Sequence, residues 1–158
     1  MMKWTSAIGL GVLAAVVGLV GISWVSTETP RVEAAEAGIA PVMNTERLMK
    51  VFADPIVATL REAMKEAPAT PKGWRVIQDQ GDAAAEVANL TMLRQGEHED
   101  TPEWKQYALL MHQAGVALAE AAGKRDFAEV TAKYQGLVQS CNECHKKFEP
   151  DIAPEILP

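Results

Sequence analysis

A chain of 158 residues with only two cysteines is long enough for one core and too poor in cysteine for a disulfide scaffold. Apolar residues make up 48% of it but aromatics only 6%, and alanine is abundant, a mix that favours close-packed helices over a β-sandwich. The formal net charge of −6, with no basic run or stripe, argues against nucleic acid as a partner.

Lys3 is followed by an uncharged apolar stretch from Trp4 to Val25. It exceeds the about 7–15 apolar residues of a secretory signal and approaches the roughly 20 that span a bilayer. Trp4 and Trp24 stand at its two ends, where interfacial aromatics belong. Small residues in "VEAAEA", just downstream, offer a cleavage site. Residues 1–25 therefore read as a cleaved signal peptide or as an uncleaved membrane anchor through residues 4–25. Either places the rest of the chain in the periplasm, soluble or tethered to the inner membrane. Residues 26–43, rich in Ala, Glu and Pro and without apolar periodicity, read as a linker, and residues 44–158 as the folded domain.

Four helices are expected in that domain. The first, about Thr45 to Glu66, carries Met49, Phe52, Ile56, Leu60 and Ala63 at helical spacing, with a kink expected at Pro55. The second opens with Thr70 as cap and Pro71 at the first helical position, presents Trp74, Ile77, Gly81, Ala84, Ala88 and Met92, and stops at Gly96. The third repeats the signal with Thr101 and Pro102, presents Trp104, Ala108, Met111, Gly115, Leu118 and Ala122, and stops at Gly123. The fourth opens at Asp126, with Glu129 completing something close to a capping box, and presents Phe127, Val130, Tyr134, Leu137, Val138 and Cys141 until Pro150 bounds it. Short connections make successive helices antiparallel neighbours, so the expected fold is an all-α, up-down-up-down four-helix bundle.

Both cysteines lie in "CNECH", residues 141–145. On a helix, positions three and four apart share a face, so Cys141, Cys144 and His145 project to the same side. Two thiols able to add across haem vinyl groups, followed at once by an imidazole for the iron, are the pattern of c-type haem attachment. A structural zinc site would need a fourth ligand, and only His98 and His112 remain as histidines. A redox dithiol would normally open a helix after a strand, whereas this pair sits at the end of one. A disulfide at this spacing would be strained. Export favours haem, because covalent attachment takes place on the outer side of the bacterial membrane.

With these residues in view, the chain resembles the cytochrome c′ family over roughly residues 44–149. The likeness lies in "PEW" at the start of the third helix, in "DFAEVTAKYQGLVQSCNECH", and in Phe148 three residues after the histidine. The resemblance implies a four-helix bundle holding one covalent haem c on Cys141 and Cys144, with His145 as axial ligand of the iron. The chain departs from the family at Glu149, where arginine is usual; Lys146 and Lys147 are the nearby cations. A homodimer is a further expectation from the family.

The resemblance also divides the function. Low-spin members carry a methionine ligand in a leucine-methionine-lysine stretch of the first helix, which Leu48-Met49-Lys50 matches. Met49 as second iron ligand implies electron transfer with redox partner proteins. Met43 is a second candidate, and Met49 as plain core packing is the competing reading. An apolar distal face, with Leu48 or Phe52 over the iron, implies instead a binder of nitric oxide or carbon monoxide. No nucleophile motif, carboxylate pair or phosphate loop points to an enzyme. His112 reads as a flanking surface residue, His98 as a solvated loop residue, and Lys146 and Lys147 as a solvated face beside the haem motif.

Overall fold

A computed structural model describes residues 40–151 together with 155 and 156. The apolar stretch 4–25 and nearly all of the linker lie outside the described residues. Among the described residues no helix is long and apolar enough to cross a membrane.

The first rod is built from three pieces. Helix α1, Thr45–Leu48, starts where the extended Asn44 accepts the Arg47 N–H on its side-chain oxygen at 2.9 Å. A π-helical turn, Met49–Ala53, follows without a break, and α2 continues over Asp54–Ala63. The irregularity expected at Pro55 thus takes the form of a widened turn just before it. Proline lacks the N–H that would reach the Val51 carbonyl, and its ring crowds that oxygen; a wider turn relieves both. The turn also resets which residues face inward. Leu48, Ile56 and Leu60 are buried, while Phe52, expected inward, is 44% exposed.

Helix α3 spans Pro71–Met92 and α4 spans Pro102–Lys124. Each is capped as its Thr-Pro start predicts: the Thr70 hydroxyl accepts the Gly73 N–H and the Thr101 hydroxyl accepts the Trp104 N–H, both at 3.2 Å. The expected glycine stops fail at both C-termini. α3 ends at Met92, short of Gly96, and α4 runs through Gly123 to Lys124. Arg125 takes the left-handed conformation instead, φ 60°, at a cost of about 1–2 kcal/mol for a residue with a Cβ. That turn lets Asp126 cap the next helix at once. Its carboxylate accepts from the Ala128 and Glu129 N–H groups at 3.0 and 3.1 Å. Helix α5 then runs over Phe127–Phe148. Glu129 does not complete the expected capping box; its carboxylate takes the Lys124 ammonium at 3.0 Å.

The chain is therefore an all-α four-helix bundle made of the rod, α3, α4 and α5. Helices α3 and α4 are the most intimate pair. Trp104 donates its indole N–H to the Thr91 carbonyl at 3.1 Å, His112 Nδ1 lies 3.3 Å from the Ala85 carbonyl, and Gly115 meets Gly81. These partners run in opposite chain order, so the two helices are antiparallel. α5 packs on α4, and the rod packs on α3. The core is filled by Leu60, Ile77, Leu118, Val130 and their neighbours.

Candidate functional site

On the remaining side of the bundle, between the rod and α5, lies a cavity of about 530 Å³. α5 supplies Cys141, Cys144 and His145 to its wall, brought to one side by their three- and four-residue spacing. The rod supplies Met49, Ala53, Ile56, Val57 and Leu60. Met49 opens the π turn, and that turn brings it and Ala53 to the cavity. Leu48 and Phe52 do not line it: Leu48 is buried in the core and Phe52 faces outward. Neither forms the apolar cover expected for an open iron site. Met43 packs against the core but also does not line the cavity.

The two thiols are free and half-buried. Burial pushes Cys141 up to about 11 and Cys144 up to about 12, the latter raised further by Cys141 and Glu149. Both are neutral thiols near pH 7, the reverse of the depressed values that a redox dithiol needs. Among the described residues no group of three or more His, Cys, Asp or Glu is arranged to hold a metal ion.

Aromatic packing fixes the end of α5. The Phe148 ring meets Trp104 at 5.0 Å, Tyr107 at 5.6 Å and His98 at 5.8 Å between centroids. His98, expected to be simply solvated, is exposed but lies against this cluster. His112 is half-buried in the α3–α4 seam rather than on the surface. Lys146 and Lys147 are both exposed, but Lys147 is tied to Glu103 of α4 at 3.0 Å.

The model of the family described as cytochrome C' matches residues 88–149, from the last turn of α3 to the end of the haem motif and Phe148. The match covers less than half of the chain, and over that segment the chain is similar to the cytochrome c′ family. No curated protein and no solved structure matches it. That likeness points to a c-type haem with iron, and the cavity fits one. Its volume falls in the range of ligand pockets, about 300–1,000 Å³, most of its wall is apolar, and two neutral thiols and an imidazole stand on a single face.

Sequence reasoning missed one contributor to this site. Asn142, between the two cysteines, donates to the Ile156 carbonyl and accepts the Ile156 N–H, both at 2.8 Å. That clamp brings Ile156 to the cavity wall. A contact formed across 14 residues has no periodicity or local spacing that could announce it.

Proposed function

We propose that the protein is an exported monohaem c-type cytochrome that transfers electrons. Cys141 and Cys144 would each add a thiol across a vinyl group, the sulfur bonding to carbon and the proton passing to the neighbouring carbon. His145 would be the axial ligand on the α5 side and Met49 the ligand on the rod side. The haem supplies a one-electron couple at its iron. The chain's own residues hold it, exclude water from it and set its environment.

The observation that carries this reading is that Met49, Cys141, Cys144 and His145 line one cavity. A thioether there would raise the potential of the iron and occupy the position that a gas would otherwise take. The alternative, a five-coordinate site for nitric oxide or carbon monoxide, loses support because Leu48 and Phe52 stand away from the cavity.

Absorption spectra of the purified protein, oxidised and reduced, with and without carbon monoxide, test the proposal. The wild type should be low-spin and indifferent to the gas. Met49→Ala should become high-spin in the oxidised form and bind carbon monoxide when reduced. A high-spin wild type that takes up the gas would overturn the assignment of Met49.

A further inference from the structure

Arg94, in the connection after α3, is 7% exposed. Its Nη1 donates to the Met43 carbonyl at 2.6 Å. Its Nε is buried and has no hydrogen-bond partner, and the ion pairs among the described residues leave Arg94 without a carboxylate. A buried guanidinium usually has an anion beside it, because removing the charge from water is costly. Holding one carbonyl uses one of its five donors and none of its charge.

The surroundings of Arg94 indicate where the anion belongs. Thr91, one helical turn earlier, lines the cavity, and so do Asn44 and Thr45, next to the carbonyl that Arg94 holds. The guanidinium therefore sits directly behind this stretch of wall. It is a polar stretch: the Thr45 hydroxyl donates to Glu99 at 2.8 Å, and Glu99 also lines the cavity. The charged side chains of the lining, leaving the haem histidine aside, are Glu46, Asp54, Glu99 and Glu149 and a single cation, Lys50, which is paired with Glu46 at 3.4 Å. Four carboxylates on this wall repel an anionic group; the cations that offset them are Lys50, already paired with Glu46, and Arg94, which stands behind the lining and is not part of it.

A haem brings two carboxylates on the edge opposite its vinyl groups. Thioethers at Cys141 and Cys144 would keep the vinyl edge against α5, which turns the carboxylate edge toward the start of the rod and the α3–α4 connection. Given a haem in the cavity, as proposed above, we infer that Arg94 is the counter-ion of one haem propionate. It thereby fixes which way the macrocycle faces and favours the reduced iron by placing a positive charge near it.

Arg94→Gln and Arg94→Lys test this through redox titration at neutral pH. Glutamine keeps a donor for the Met43 carbonyl but no charge; lysine keeps the charge. Arg94→Gln should shift the ferrous–ferric equilibrium toward ferric by roughly tenfold, the scale of one unit charge removed from a partly buried site. Arg94→Lys should retain most of the wild-type equilibrium. Full covalent haem with an unchanged equilibrium in Arg94→Gln would overturn the inference and leave Arg94 as a lock on the Met43 carbonyl. Should Arg94→Gln fail to accumulate, the wild type loaded with carboxyl-labelled haem gives the answer by nuclear magnetic resonance. One propionate should stay ionised to a more acidic pH than the other, and two identical titrations would overturn the pairing. A purified wild type without covalent haem absorbance would instead sink the haem reading itself, and this one with it.

Discussion

The two sides of the bundle are built to opposite ends. Between α3 and α4 the backbones touch: a Cβ on Gly81 would lie 2.8 Å from the Ala119 nitrogen, and one on Gly115 would lie 2.8 Å from the Ala85 nitrogen and the Gly81 oxygen. Between the rod and α5 the same small fold keeps a cavity of about 530 Å³. Small residues serve both sides. In the seam they let helices close on each other and leave no room for a side chain. At the cavity, Ala53, Ala84 and Ala108 leave space that the helices themselves do not fill. The seam acts as a rigid back for a site whose front depends on what occupies it.

The largest effect is expected on the open side. Replacing Cys141 and Cys144 together with serine should abolish covalent haem, since no other thiol exists in the chain. After acid-acetone treatment the wild type should keep its colour in the protein pellet and the double variant should release it. Each single variant should retain one thioether and an altered pyridine haemochrome spectrum. Colour retained by the double variant would place the attachment elsewhere.

On the closed side, Gly115→Ala should cost about 1–3 kcal/mol by overpacking against the α3 backbone. Denaturant unfolding of the haem-loaded protein measures it. The haem spectrum should stay that of the wild type, because neither Gly115 nor Gly81 lines the cavity. Neutral behaviour of this variant would mean that α3 and α4 can separate freely, and the contrast between the two sides would lose its physical basis.

What was legible in the sequence was local. Thr70-Pro71, Thr101-Pro102 and Asp126 announce three helix starts because a cap is decided within four residues. The Cys-Asn-Glu-Cys-His run announces one helix face for the same reason. The glycine stops misled because Gly96 and Gly123 do not sit where the helices end; a two-residue connection needed its left-handed residue at Arg125, next to the Asp126 cap. Phe52 was misplaced because simple periodicity assumes 3.6 residues per turn, and the π turn breaks that count before Pro55. Arg94 and Asn142 were silent because their partners, Met43 and Ile156, are distant in sequence. Met49 sits between these cases: its apolar face was readable, and its place on the cavity wall needed the π turn.

The smallest expected effects compare two caps that look alike in sequence. Thr70 holds only the Gly73 N–H at the exposed end of α3. Thr101 holds the Trp104 N–H and also donates to the His98 carbonyl at 2.6 Å. Trp104 is buried, lines the cavity and meets the Phe148 ring three residues beyond His145. Either threonine replaced by alanine should cost about 0.5–2 kcal/mol, with Thr101 toward the upper end because it loses two bonds. The discriminating readout is the haem spectrum. Thr101→Ala should perturb it, since loosening the start of α4 loosens the aromatic cluster that seats the end of α5. Thr70→Ala should lower stability and leave the spectrum alone, because its end of α3 borders neither the cavity nor the cluster. Equal and purely thermodynamic effects from both would mean that the Phe148 cluster does not transmit to the site and that the π turn and the Asn142 clamp position it alone.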